Sequence, residues 1–197
     1  MIKMYEKYLE LIGTRLLQKH FEQQKDYIKC KPGCSYCCES GQYPFSELEF
    51  EYLMLGYSTL SEQEKVIIQS KIKKIKEAQN EANDEDFMHE CPFLVDKKCC
   101  VYAYRGIICR THGLLFFIID KDGKQKNKFP HCTYLGLNYS NIFDVKTGIL
   151  SQELWEKSGI KTEPVAYNLS QKAMLENPVT EELGLEFGPT KALIDWF

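Results

Sequence analysis

The sequence has no long hydrophobic run. Its longest apolar stretches are six residues, one of them Leu114 to Ile119, where a helix across a bilayer needs roughly 20. The N-terminus, MIKMYEKYLE, carries charges where a secretory signal would have its apolar segment. Positive charge is not in excess: the net charge is −3. Nothing there favours nucleic acid as a partner. There is no internal repeat, no low-complexity tract, no glycine-rich phosphate loop and no nucleophile elbow. No pair of carboxylates has a spacing that implies catalysis, so no catalytic residue is assigned. These absences point to a cytoplasmic protein with no membrane and no nucleic-acid partner. A protein or small-molecule partner is left unnamed.

Cysteine, by contrast, is abundant, with nine in 197 residues. A chain of this length can bury a real core and needs no disulfide staples for want of size. In a reducing cytosol, so many thiols argue for metal binding or redox chemistry over a disulfide framework.

The patterning is mainly helical. Leu9, Ile12, Leu16, Leu17 and Phe21 recur at steps of three to four within residues 1 to 29. Pro32 and Gly33 break that pattern. Ser46 and Glu49 have capping-box spacing and open a second helix, with Leu48, Tyr52, Leu53 and Leu55 as its apolar face. Ser61 and Glu64 repeat the signal before a long polar helix through Ile67, Ile68, Ile72 and Ile75. Its lysines, Lys71, Lys73, Lys74 and Lys76, read as a solvated face. Residues 81 to 90, with Asn83 and Asp84, read as a loop. Leu114 to Asp120, followed by Gly123, reads as a strand entering a hairpin. Ser151 caps a helix through Leu154 and Trp155. The last 35 residues give no clear order. The expected fold is mainly α with a small β-hairpin, its helices packed around a cysteine-rich, loop-rich metal centre. The expected division is a cysteine-cluster domain over 1–140, with a helical insert at about 45–80, and a C-terminal extension over 141–197 on the same domain.

The cysteines fall into three groups: Cys30, Cys34, Cys37 and Cys38; then Cys91, Cys99, Cys100 and Cys109; then Cys132. Core packing would scatter them singly. Soft thiolates select zinc, cuprous copper or iron–sulfur clusters. A Cys-x2-Cys turn aims two sulfurs at one ion, and its N–H groups offset their charge. The adjacent pair Cys37 and Cys38 suits two sites, or one ligand and one non-ligand. Setting Cys100 aside as an ordinary buried residue leaves eight thiols, enough for two sets of four. The spacing of Cys30, Cys34 and Cys37 is also that of radical-SAM enzymes. Those are built on repeated strand–helix units, which this sequence lacks.

The ordered motifs CKPGCSYCC, CPFL and CCVYAYRGIICR resemble the YkgJ-type cysteine-cluster family, whose members are described as zinc- or iron-chelating or as iron–sulfur proteins. The matching positions are Cys30, Cys34, Cys37 and Cys38; Cys91, Pro92, Phe93 and Leu94; and Cys99, Tyr102, Arg105, Cys109 and Arg110. One position departs: the family's proline after the arginine is Gly106 here, which would loosen the turn before Cys109. The later HCTYLGLNY resembles a subgroup in which a late cysteine, here Cys132, joins the set. The resemblance covers roughly residues 28 to 140. It implies metal ligation by Cys30, Cys34, Cys37, Cys38, Cys91, Cys99, Cys109 and Cys132. A related module sits in a flagellin lysine methylase, but no methyl-donor motif is recognisable here.

Arg105 and Arg110 are expected beside the thiolates, neutralising them, with Tyr102 nearby. Tyr102 itself reads as a core residue with its hydroxyl bonded to backbone. His112 and His131 flank Cys109 and Cys132 and could replace a thiolate at zinc. His20 and His89 have no such context. The leading expectation is a protein whose cysteines ligate an iron–sulfur cluster, or zinc as the second choice, with a redox role. The alternatives are a zinc-stabilised interaction module without enzymatic activity, and a cluster-dependent enzyme. A thiol oxidoreductase built on Cys34 and Cys37 comes last, since loop and helix surround that pair.

Overall fold

The computed structural model describes residues 1–31, 33–82 and 87–197. The loop expected over 81–90 falls partly outside them, as does the break at Pro32. About half of the chain is helical. The described residues also form four small two-stranded antiparallel sheets. Among them, no helix is long and apolar enough to cross a membrane.

The chain divides into two compact units. The first comprises 1–5, 33–110 and 184–197; the second comprises 6–32 and 111–183.

In the first unit, both expected capping boxes form. The Ser46 hydroxyl accepts from the Glu49 N–H, and Glu49 Oε2 accepts from the Ser46 N–H, opening the helix Glu47–Ser58. Ser61 and Glu64 do the same before Glu62–Ala82. Each satisfies N–H groups that a helix start leaves unpaired. The face of the first of these helices differs from expectation. Leu48, Tyr52 and Leu53 are buried, but Leu55 is 43% exposed. Apolar residues run almost all round this helix, so periodicity does not select one face. Strand Pro44–Ser46 pairs antiparallel with Thr190–Ala192 from the chain's end. Leu193 follows that strand into a core with Phe45, Leu53, Ile68, Phe93, Leu94 and Cys91.

In the second unit, the N-terminal pattern is helical but broken, with a π-helical segment at Leu11–Leu17 and a last turn at Lys25–Tyr27. Leu9, Ile12 and Leu17 are buried; Leu16 is at the surface. The expected hairpin is present, with Phe116–Ile119 pairing with Gln125–Lys128. Asp120 Oδ1 accepts from the N–H groups of Asp122 and Lys124, and Gly123 takes φ 76° to close the turn. Ser151 caps Gln152–Ser158 as expected. Asn177 builds a capping box for Pro178–Glu182, which the sequence reading left unordered. The core centres on Tyr27, Leu115, Tyr139 and Ile142, with the two tyrosine rings stacked at 5.2 Å.

Candidate metal centre

Three segments of the first unit carry its thiols towards one another. The short helix Tyr36–Glu39 holds Cys37 and Cys38, whose sulfurs are 3.8 Å apart. The next segment runs antiparallel to the one before Cys91. Gly41 and His89 exchange hydrogen bonds of 3.0 and 3.2 Å, and the Cys91 N–H donates to Cys38 O at 2.8 Å. Gly41 is required here: a Cβ would fall 2.8 Å from the Tyr43 ring. Lys71 donates to Glu90 and to Leu94 O, bracing the turn that follows Cys91. It is thus an exception to the solvated lysine face.

Cys99 arrives on a two-residue hairpin. Leu94 pairs with Cys99 across Leu94–Val95 and Lys98–Cys99. Asp96 and Lys97 between them both have positive φ, 48° and 62°. That is the type I′ geometry that matches strand twist, usually given to Asn-Gly. Lys97 Nζ reaches Glu39 Oε1 at 2.7 Å, and Ser35 Oγ donates to the same oxygen at 2.8 Å. The hairpin tip is so tied to the helix of Cys37 and Cys38.

Cys109 sits on the short helix Ile107–Thr111. The buried carboxylate of Glu49 accepts the Ile107 N–H at 2.8 Å while its other oxygen serves Ser46. Burial holds the Glu49 pKa up. Gly106 stands just before this helix. A Cβ there would meet Phe45 at 2.8 Å and Glu49 Oε1 at 3.0 Å, so the bare backbone permits close approach.

The electrostatics link five sulfurs. Cys38 feels Cys37, Cys91 and Cys109; Cys109 feels Cys91, Cys99 and Cys37. The Cys38 thiol holds the Cys37 pKa down at about 7, and its own pKa rises in turn. Burial pushes Cys91 up to about 12, although the Phe93 N–H donates to its sulfur. Burial also raises Cys99, against the Val101 N–H and the charge of Arg105. Burial, then the charges of Cys91 and Cys99, pushes Cys109 well up. Both Cys91 and Cys99 thus receive an N–H from two residues on, a bond that favours thiolate over thiol. Cys100 is different: after burial, it responds to Glu64, Lys71 and Asp96.

Arg105 acts on Cys37, Cys99 and Cys109. Its guanidinium lies 3.5 Å over the Tyr102 ring, and its Nε donates to Tyr102 O. Tyr102 is 64% exposed, not a core residue, because its ring serves as that platform. Arg110 donates to Arg105 O and Ala103 O, so it braces the turn before Cys109.

The remaining expected residues divide between the units. Cys34 is half-buried at the start of the first. Cys30 and Cys132 belong to the second. Cys30 is exposed and takes a hydrogen bond from Asn138 Nδ2 at 3.2 Å; Cys132 is buried. His112, with its pKa lowered by burial, and the exposed His131 also lie in the second unit. None of the nine cysteines is in a disulfide. Among the described residues, no group of three or more Cys, His, Asp or Glu side chains is placed to hold a metal ion as it stands. Sequence reasoning missed that Glu49, Lys71 and Lys97 position the thiols: Glu49 read only as a capping residue, Lys71 only as part of a solvated face, and Lys97 carried no signal. Comparison with protein-family models, curated proteins and solved structures returns no match.

Proposed function

We propose that the first unit is a thiolate metal module of the YkgJ type, with an iron–sulfur cluster as the first choice of cargo and a redox role. One observation carries the reading: Cys37, Cys38, Cys91, Cys99 and Cys109, from three segments, lie within one another's electrostatic reach, and none is in a disulfide. The donor chemistry fits such a group. Several buried thiols side by side cannot all ionise without a cation among them. The N–H donors to Cys91 and Cys99 and the charge of Arg105 favour the thiolate form. Cys37 or Cys38, Cys91, Cys99 and Cys109 would hold the group, with Cys34 as a further candidate; the expected ligands Cys30 and Cys132 lie in the second unit. An iron–sulfur cluster would supply one-electron transfer, at a potential tuned by such N–H and charge contacts.

A second reading is a zinc-held interaction module without enzymatic activity. The slight regular structure of the thiol-bearing segments favours it, since a two-residue hairpin and a five-residue helix have little stability alone. Thiolate ligation suits both metals.

Protein expressed with ample iron and purified without oxygen is expected to be brown and to contain acid-labile sulfide. A colourless protein with stoichiometric zinc and no sulfide selects the second reading. With either metal, Cys109→Ser should lower metal content and melting temperature, while Cys100→Ser leaves both nearly unchanged. Equal effects would show that Cys100 is no bystander.

A further inference from the structure

We propose that His89 is a nitrogen ligand of the thiol site, an inference that rests on the metal-module reading and extends its donor set. The ring is 93% removed from solvent, with 7% relative exposure. Nδ1 lies 2.8 Å from Glu90 O. A carbonyl only accepts, so Nδ1 carries the proton and Nε2 carries the lone pair. That Nε2 is buried and has no hydrogen-bond partner among the described residues. A buried acceptor left unpaired costs about 1–3 kcal/mol, and native proteins rarely leave one without a reason. A proton fixed on one ring nitrogen by a carbonyl, with the other nitrogen bare, is how metal-bound histidines are commonly oriented.

Its setting points the same way. His89 stands two residues before Cys91 on the segment bonded to Gly41 and Cys38. Side chains two apart on an extended segment share a face. The Tyr43 ring meets the His89 ring edge-on at 5.6 Å, and Tyr43 also feels the charges of Cys91, Cys38, Cys109 and Cys37. The Phe87 ring also stacks on that of His89, with centroids 5.9 Å apart. Tyr43 holds φ 52°, a left-handed conformation that is an outlier for a bulky residue. It is kept there by burial and by its hydroxyl donating to His89 O at 3.3 Å. Strain of this kind gathers at sites whose geometry is fixed in advance. An imidazole also adds a donor without adding negative charge to a core already crowded with sulfur. Mixed thiolate–imidazole sets are ordinary for zinc.

The test uses the full chain, with Zn2+ and Co2+ as probes. Long-range 1H–15N spectra of the histidines should show the His89 Nε2 resonance displaced on adding Zn2+, with Nδ1 still protonated. His89→Gln should weaken Zn2+ binding by roughly tenfold or more and shift the ligand-field bands of the Co2+ form. If a thiolate-to-Co2+ charge-transfer band appears while His89 Nε2 keeps its metal-free position, the thiol site stands and His89 is not a ligand. If neither Zn2+ nor Co2+ binds, the underlying metal reading falls, and this inference with it. The spectrum of the unaltered chain decides the matter even if the variant fails to fold.

Discussion

The two units solve the same problem with different materials. The second is held by ordinary means. Its tyrosines stack, and the Gln24 amide is buried and doubly used, accepting from the Val165 N–H at 3.0 Å and donating to Glu163 O at 3.1 Å. Asn138, also buried, accepts from the Lys29 N–H and donates to Gly113 O and Cys30. Every one of these groups is satisfied within the protein. The first unit instead puts ionisable sulfurs in its core. A hydrocarbon core needs nothing further, whereas in the proposed metal module the crowded thiols are completed by a cation.

The largest effect should come from removing that cation. A structural zinc can contribute on the order of 10 kcal/mol to folding, comparable to the whole stability of a typical domain. Chelation of metal-loaded protein should therefore abolish hydrogen-exchange protection at Leu94 and Cys100 in the first unit. Protection at Tyr139 and Tyr167 in the second should persist. Equal loss in both would erase the contrast between them.

That contrast was only half legible in the sequence. Local signals read well: the Ser46 and Ser61 capping boxes, the Ser151 cap and the hairpin turn at Asp120 each depend on residues a few positions apart. The long-range pairing of Pro44–Ser46 with Thr190–Ala192 did not, because nothing near either strand specifies so distant a partner. The Asp96–Lys97 turn lacks the glycine that usually announces type I′ geometry. The cysteine motifs marked the thiols as a set, but spacing alone did not separate Cys30 and Cys132 from the others by unit. His89 was passed over for want of the context read for His112 and His131; its bare Nε2 is a tertiary fact. The close approach of Phe45 and Glu49 to Gly106 is likewise a tertiary fact that local spacing does not carry.

An intermediate effect should come from the opposite unit. Asn138→Ala leaves the Lys29 N–H and the Gly113 carbonyl without their partner. Each orphaned group costs about 1–3 kcal/mol, so a loss of about 2–6 kcal/mol is expected. Urea unfolding can assign it, because the chain's two tryptophans divide, Trp155 in the second unit and Trp196 in the first. With Trp196→Phe as background, the Trp155 transition should move to lower urea. Metal content should not change. A fall in metal content would break the separation between the two effects.

The smallest effect is one of pH, and it too should be confined to the second unit. His112 and His20 both lie there, and burial lowers the pKa of each. The His20 ring stacks on Tyr167 at 3.7 Å. An unfolded histidine titrates near 6.5. Below that value the unfolded chain binds more protons than the folded one, so stability rises with pH and is lost on acidification. The contribution is fully present above about pH 6.5 and declines as pH falls through the lower folded values. The Trp155 urea midpoint should thus be flat from pH 8 to 7 and drop between about pH 6.5 and 5. His112→Gln should reduce that slope, and more than His20→Gln does, because His112 is the more deeply buried ring. A midpoint that stays level through this window would mean that both rings accept a proton without leaving their places.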